Sequence, residues 1–317
     1  MPINGSCTPA QCRFGSPARV AILALIIGCL AGCSGIKVAY NQADLIAAWM
    51  ADDYFELTGE QKDAFREHFQ RFHAWHRATQ LNEYAALLAS ARERLDNGVK
   101  EADVVWAIDA IKAQYRTMVA RGYADAARLL STLSDRQLNA ARREFEERNR
   151  KNAREWGVGA SADEQRRLRA KRNLERIEHW TGTLSAAQEA RIVAMSRDLP
   201  LIADLRQQDR IRRQQEFLAV LEKRKSPEVF APALRDWLTD WDRKRTAEYE
   251  AALTRFVEAS AKMYVEAFAL LTREQRAHIS ERLSRYITAF RELAQDAPRT
   301  AMHPRQEGAR DVRILPQ

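Results

Sequence analysis

The sequence predicts an all-α protein, an elongated bundle of about eight long amphipathic helices that follows a lipoprotein signal peptide. Apolar residues recur at spacings of three and four over most of the chain, which places them on one face of a helix. No stretch shows the strict polar–apolar alternation of a half-buried strand. Charged residues make up 30% of the chain against only 12 glycines and 9 prolines, a balance typical of long helices with solvated faces.

The N-terminal segment has the features of a secretory signal. Arg13 and Arg19 precede an apolar run from Val20 to Ala31, and no acidic residue occurs before Asp44. The run is twelve residues long. A helix needs roughly 20 residues to span a bilayer, so the run predicts a signal peptide rather than a membrane span.

The end of this segment, Leu30-Ala31-Gly32-Cys33, resembles the lipobox of bacterial lipoproteins. The resemblance implies cleavage before Cys33, removal of residues 1–32 and attachment of lipid chains to Cys33. A second match, Ile26-Ile27-Gly28-Cys29, is poorer, and a plain signal with an incidental cysteine is the other alternative. Ser34, and not Asp, follows Cys33. In Gram-negative lipoproteins this implies transfer to the outer membrane, facing the periplasm.

The cysteine count then limits the chemistry of the mature chain. The sequence has four cysteines, at positions 7, 12, 29 and 33. The first three would leave with the signal and the fourth would carry lipid. The remaining 285 of the 317 residues would then have no free thiol for a disulfide, a nucleophile or a zinc site.

Helix-breaking residues divide the rest of the chain into eight predicted helices. Asn97-Gly98 should end the second helix, Pro200 should kink the sixth, and Pro227 suits the first turn of the seventh. The predicted helices cover residues 38–54, 59–96, 100–130, 135–156, 162–180, 186–223, 227–270 and 273–294. Residues 33–296 form one bundle or two halves that meet near residues 157–160. The tail, residues 297–317, contains three prolines and is predicted to be disordered.

Four of these helices begin with the same pattern, L-[ST]-x-x-Q. The Ser or Thr hydroxyl can accept a hydrogen bond from the backbone N–H three residues on, while the Gln side chain reaches back to the backbone N–H of the cap, which makes a capping box. The four predicted boxes pair Thr58 with Gln61, Ser134 with Gln137, Ser185 with Gln188, and Thr272 with Gln275. The pattern is similar to the LTxxQ motif of small periplasmic stress proteins, which include ATP-independent chaperones.

A broader resemblance covers nearly the whole mature chain. Besides the lipobox, it rests on an aromatic-Asn pair, a tryptophan, an Asp-Tyr pair, the first capping box and a Trp-His-Arg triplet. In this sequence these are Tyr40-Asn41, Trp49, Asp53-Tyr54, Leu57 with Gln61, and Trp75-His76-Arg77 before Leu81 and Tyr84. They look like an uncharacterised family of Gram-negative lipoproteins. The resemblance implies the location and a helical fold, and it carries no activity.

Charge argues against a nucleic-acid partner. Without Arg13 and Arg19 the formal charge of +8 falls to +6, a modest value, and no basic patch with aromatic platforms is evident. The most basic segment runs from Arg142 to Arg176, with twelve Lys or Arg against seven Asp or Glu. We expect a solvated helix surface there, and the alternative is contact with an anionic surface of the cell envelope.

Two groups of residues are candidate sites. His73 and His76 lie three apart on a helix and are weak candidates for a metal site, whereas the role we expect for them is aromatic packing, with Trp75 in the core and the His rings at its edge. Tyr40, Asn41 and Trp49 lie close to the anchored cysteine and are candidates for contact with the membrane or a partner. Alternatively, Tyr40 and Trp49 hold the first helix on the bundle.

No catalytic motif is recognisable, so we expect a non-enzymatic protein without cofactors. Its expected role is protein binding or structural support in the envelope, with the membrane bound through the lipid on Cys33 and an unidentified envelope protein as partner. A chaperone-like stress protein is the first alternative. A cell-wall-acting enzyme is the second, for which the adjacent carboxylates are Asp52-Asp53, Glu146-Glu147 and Asp163-Glu164.

Overall fold

The computed structural model describes residues 33–296, and every regular element in this part is an α-helix. The all-α prediction is therefore confirmed, but these residues form eleven helices instead of eight. They are α1 (Cys33–Asn41), α2 (Ala43–Phe55), α3 (Gly59–Asp96), α4 (Glu101–Ser131), α5 (Asp135–Trp156), α6 (Ala162–Thr181), α7 (Ala186–Asp198), α8 (Ala203–Glu222), α9 (Pro227–Thr239), α10 (Ala247–Ala269) and α11 (Arg273–Gln295). The predicted signal, 1–32, and the predicted disordered tail, 297–317, lie outside the described residues.

Pro200 separates α7 from α8 instead of kinking one helix. Leu199, the residue before the proline, is extended with φ −60° and ψ 145°. The proline ring disfavours helical backbone at the preceding residue, so the helix ends at Asp198. The prediction of a single helix over 186–223 was therefore wrong.

The predicted helix over 227–270 is also divided. Residues 240–246 are not helical and include a turn at 241–244, and Thr246 then caps α10 by accepting a hydrogen bond from the backbone N–H of Tyr249 at 3.1 Å. The aromatic rings of Trp237 and Trp241, which suggested one continuous stripe, have different partners. Trp237 stacks on Phe217 with ring centroids 4.5 Å apart, and Trp241 stacks on Tyr115 at 4.8 Å.

The first predicted helix, 38–54, is interrupted only mildly. Gln42 lies between α1 and α2 with φ −100° and ψ 10°. Its backbone N–H still donates to the Val38 carbonyl at 3.0 Å, and its carbonyl accepts from the Ile46 N–H at 3.2 Å. Because the helical hydrogen bonds continue through the break, α1 and α2 run on from one another.

All four L-[ST]-x-x-Q patterns form complete capping boxes, at the beginnings of α3, α5, α7 and α11. In each box the hydroxyl accepts from the backbone N–H of the Gln, and the Gln side chain accepts from the backbone N–H of the cap. Such a cap stabilises a helix by about 1 kcal/mol.

The first two boxes also bind one another. The Gln61 and Gln137 amides exchange hydrogen bonds, at 2.6 Å from Gln137 to Gln61 and 3.3 Å in return. Gln61 Nε2 donates to the Thr132 carbonyl at 3.1 Å, and Gln137 Nε2 donates to the Glu56 carbonyl at 3.2 Å. Each acceptor lies two residues before the partner's cap, so the arrangement is reciprocal.

The third and fourth boxes repeat the same bonds. The Gln188 and Gln275 amides exchange hydrogen bonds at 2.8 and 3.1 Å. Gln188 Nε2 donates to the Leu270 carbonyl at 2.8 Å and Gln275 Nε2 to the Thr183 carbonyl at 2.9 Å, again two residues before each cap. The sequence predicted the caps but gave no sign that they pair.

Each pair of boxes lies where four helices meet, namely the two helices that end before the caps and the two that begin at them. The first pair lies among α2, α3, α4 and α5, and the second among α6, α7, α10 and α11, with matching contacts in the two sets. Helices α3 and α11 form the most extensive helix pair and connect the two sets.

Two apolar cores support these sets. The first, around Leu133, Leu221 and Phe230, combines residues 57–138 with residues 217–234. The second, around Ile192, Met263 and Leu283, combines residues 177–199 with residues 263–283. Whether the bundle divides into halves near residues 157–160 stays a prediction. Within residues 33–296 no helix is both long and apolar enough to cross a membrane.

Candidate functional site

The aromatic-Asn pair of α1 and the His-Arg pair of α3 bind one another. Tyr40 Oη lies 2.8 Å from His76 Nδ1, and Arg77 Nη2 donates to Asn41 Oδ1. The Arg77 guanidinium also lies over the Tyr40 ring, 5.2 Å from its centroid. Together with His73, whose ring centroid is 4.5 Å from that of Tyr40, these residues form what we call the Tyr40 cluster.

His76 stands at the centre of a chain of hydrogen bonds. Its Nε2 lies 3.1 Å from Tyr84 Oη, and Tyr84 Oη in turn donates to Met118 Sδ at 3.4 Å. All these bonds are satisfied together when the proton is on Nε2: Tyr40 donates to Nδ1, and Nε2–H donates to Tyr84. The network therefore assigns His76 as a neutral ring that joins α1, α3 and α4.

Burial favours the neutral forms of the cluster. Desolvation, assisted by the neighbouring His73, lowers the pKa of His76 to about 4. Burial and the charge of Arg77 also lower the pKa of His73 below its usual value. Burial raises the pKa of Tyr40 and that of Tyr84. At neutral pH both histidines are therefore uncharged and both tyrosines are protonated.

The structure does not bring a set of metal ligands together around His73 and His76. Both ring nitrogens of His76 are within hydrogen-bond distance of tyrosine hydroxyls. His73 Nε2 is buried with no hydrogen-bond partner. His68 is 3.3 Å from Asp125. In the described part of the chain no group of three or more His, Cys, Asp or Glu side chains is placed to hold a metal ion.

Trp49, the third candidate for membrane or partner contact, lies on the surface. Trp49 is 44% exposed, and Val38 and Leu45 are each 60% exposed. Because helical hydrogen bonds continue through Gln42, the spacings of seven and four residues place Val38, Leu45 and Trp49 on one face. We call these three residues the apolar stripe. Tyr40 and Asn41 instead bind α3, so the structure separates the three candidates into an inner pair and an exposed residue.

Other residues of the resemblance also lie at helix contacts. Asp53 Oδ2 is 3.6 Å from Arg148 Nη2, and the Arg148 guanidinium lies over the Tyr54 ring, 4.3 Å from its centroid. Both contacts join α2 to α5. These motif residues, which lie far from their partners in the sequence, therefore hold the first two helices on the bundle.

Of the adjacent carboxylates considered for cell-wall chemistry, those at positions 52, 53, 163 and 164 have basic partners. Asp52 is 3.0 Å from Lys62, Asp163 is 2.7 Å from Arg197, and Glu164 is 2.7 Å from Arg167. The hydrogen bond from Arg167 lowers the pKa of Glu164. A raised pKa, which a general acid needs, is therefore not found at this carboxylate.

The basic segment from Arg142 to Arg176 departs from the expected solvated surface at one place. Arg169 is only 8% exposed, and it lies on a buried face of α6 with Gln165 and Asn173. These three residues are spaced four apart, as an apolar stripe would be. The sequence shows this spacing, but because the three side chains are polar it predicts a solvated surface, and that prediction is wrong for this face of α6.

Comparison with known proteins gives a family and no function. No curated protein and no solved structure matches the chain. A family model described as a family of unknown function (DUF6279) matches residues 53–250, more than half of the chain. The resemblance to an uncharacterised family is thereby confirmed, and the chain belongs to this family of unknown function, DUF6279.

Proposed function

We propose that this chain is a lipid-anchored protein of the outer membrane that faces the periplasm and has a protein-binding or structural role. The observation that carries the proposal is the fixed position of α1. This helix begins at Cys33 and is bound to the body at Tyr40 and Asn41. An anchor at Cys33 would therefore connect to the bundle through a helix rather than through a loose linker.

The geometry sets how far the body can move from such an anchor. Tyr40 lies seven positions after Cys33, which is about 10 Å along a helix. An ion pair between Lys37 and Glu292 adds a contact between α1 and α11. Lipid chains on Cys33 would thus hold the Tyr40 cluster near the headgroup region.

The apolar stripe fits a surface at the same end. Val38, Leu45 and Trp49 are exposed on the helices that follow the anchor. Trp is favoured at membrane–water interfaces because its ring is amphipathic, and a short apolar face adds affinity to a lipid anchor. We assign the stripe to the headgroup layer of the membrane that carries the anchor, which leaves the remainder of the bundle for a protein partner.

The capping motifs do not by themselves favour a chaperone. Their resemblance to the LTxxQ motif suggested that alternative, but all four Gln amides are engaged within the protein. The motif has a structural use in this chain, so a chaperone role needs support from another feature.

The anchor is tested by fractionation and labelling. Wild-type protein expressed in Gram-negative cells should incorporate labelled palmitate and sediment with the outer membrane, and Cys33→Ala should lose both properties. Cys29→Ala is the matched control, because lipidation at the poorer site would be lost in that variant instead. Unlabelled wild-type protein in the soluble periplasmic fraction would contradict the proposal.

The stripe and the partner are tested by crosslinking in intact cells. A photoreactive residue at position 49 should capture lipid, whereas one at Ile111, which is 70% exposed on α4, should not. Chemical crosslinking of the whole protein should capture one dominant envelope protein. A broad set of unrelated clients would instead support the chaperone alternative.

A further inference from the structure

A cavity of about 330 Å³ lies where α4, α5, α6, α8 and α10 meet. This is the lower end of the usual range for small-molecule sites, roughly 300–1,000 Å³. Its wall is mostly apolar and includes Ile108, Ile202, Phe256 and Met263. An apolar wall of this size is suited to a small ligand with an apolar part.

Four arginines also line this cavity: Arg169, Arg172, Arg176 and Arg206. Hydrogen bonds from three of them go to neutral groups: Arg169 to the Pro200 carbonyl at 2.6 Å, Arg172 to the Glu155 carbonyl at 2.6 Å, and Arg176 to the Tyr264 hydroxyl at 3.2 Å. In the described part of the chain none of the four has a carboxylate within 4.0 Å. Asp204, which approaches from α8, is held by Gln165 Nε2 and the Gly159 N–H instead.

Arg169 is the key residue of this site. It is 8% exposed, and its Nε and Nη2 atoms have no hydrogen-bond partner. Burial and the nearby Arg166, Arg172 and Arg206 lower its pKa to about 10, so it stays charged at neutral pH. A buried charge without an anionic partner is costly, and such groups in native proteins usually serve a function or bind a ligand.

Two of the other arginines hold the wall in shape. Arg172 and Arg206 lie over the Trp156 ring, 4.1 and 5.5 Å from its centroid. Their guanidinium groups are thus oriented by cation–π contacts rather than by ion pairs. Arg176 is exposed, so the cavity reaches the surface at that end.

We propose that this cavity binds an anion that carries an apolar chain, with the carboxylate or phosphate on Arg169 and the chain against the apolar wall. The guanidinium fork of arginine matches both anions. An anion with an apolar chain can come from two sources, a fatty-acid-type carboxylate or a lipid-type phosphate. The proposal goes beyond the anchoring role and does not depend on it.

The test is calorimetric titration of the full chain in nanodiscs of zwitterionic phosphatidylcholine. Octanoate and octyl phosphate represent the two sources. Octyltrimethylammonium has the chain with the opposite charge, and inorganic phosphate has the anion without the chain. We expect binding of one or both octyl anions, which assigns the source, and at least tenfold weaker binding of both controls. Equal binding of the cation, equal binding of inorganic phosphate, or no binding at all would overturn the proposal.

Variants separate a ligand site from a structural arginine. Arg169→Met should weaken octyl-anion binding at least tenfold while leaving the melting temperature of the unliganded protein unchanged or raised, because it removes an unpaired buried charge. Lys171→Met is the control, since it removes one charge from an exposed position of the same helix. Unchanged binding in Arg169→Met would overturn the proposal. If this variant does not fold, Arg169→Gln, which keeps a polar side chain at the same position, tests the same contact, and unchanged binding in that variant would overturn the proposal.

Discussion

Replacement of Gln137 by Ala should destabilise the protein more than the same change at Gln275. Both side chains make the same set of bonds, but Gln137 is 2% exposed whereas Gln275 is half-buried. The loss of a capping box costs about 1 kcal/mol. At position 137 the change also removes the hydrogen bond to the buried Gln61 amide and the hydrogen bond to the Glu56 carbonyl. Each of these hydrogen bonds contributes about 1 kcal/mol, so we expect a total loss of about 3 kcal/mol.

At position 275 water can replace the lost partners. The expected cost of Gln275→Ala is therefore close to that of the cap alone, about 1 kcal/mol. Urea unfolding of the full chain, followed by circular dichroism, measures both variants against the wild type. Equal losses would refute the argument, because burial would then not decide the cost of the same bonds.

A double-mutant cycle isolates the bond between the two boxes. Gln61→Ala combined with Gln137→Ala should lose less than the sum of the single losses, by about 1–2 kcal/mol, because the two amides are in direct contact. Gln61→Ala combined with Gln275→Ala is the control, because these residues belong to different pairs of boxes and their losses should add. Additive losses in the first cycle would show that the amide pair contributes nothing.

Two further perturbations test other parts of the bundle. The pKa of His76 is lowered to about 4 in the folded protein, against 6.5 in the unfolded chain, so stability should be full above pH 6.5 and fall as the pH drops toward 4. After a discount for partial exposure the loss is about 1–2 kcal/mol, and His76→Gln should flatten the profile measured by urea unfolding. Among the glycines, Gly122→Ala should raise the melting temperature, since Ala stabilises a helix interior by about 1 kcal/mol and its methyl would only touch Phe72 at 3.4 Å. Gly157→Ala should lower the melting temperature, because Gly157 has φ +68° and the added methyl would lie 3.0 Å from Leu168. A lower melting temperature of Gly122→Ala, or a higher one of Gly157→Ala, would contradict the argument for that glycine.

The helices themselves were predictable because their signals are local. The 3.6-residue period and the four capping boxes fixed α3, α5 and the beginnings of α7 and α11 within a residue or two. The break at Pro200 has a local cause that the sequence shows, and only its form, a helix end instead of a kink, differed from the prediction. The break at residues 240–246 was harder to predict, because it depends on what the neighbouring side chains contact. Trp237 and Trp241 keep a helical spacing in the sequence, yet they stack on rings from two different helices. A continuous rhythm of apolar residues therefore does not by itself show a continuous helix.

The contacts of the candidate site depend on pairs that lie far apart in the sequence. Tyr40 with His76 and Asn41 with Arg77 are each separated by 36 residues. Each member was singled out from the sequence, but nothing local relates one to the other. The same holds for Gln61 and Gln137, whose local role as caps was evident and whose mutual bond was not.

The cavity lined by four arginines shows that polar residues at the spacing of a buried helix face differ from those of a solvated face. Gln165, Arg169 and Asn173 occupy the buried face of α6, which continues with Ile177. A solvated face gains nothing from keeping such a spacing, whereas a face toward the interior must either be apolar or satisfy every polar group. Here Arg169 has two unsatisfied nitrogen atoms, so the protein alone does not complete this face. The cost of that burial is offset once an anion binds, which is why the titration with octyl anions tests the packing of α6 as well as the ligand.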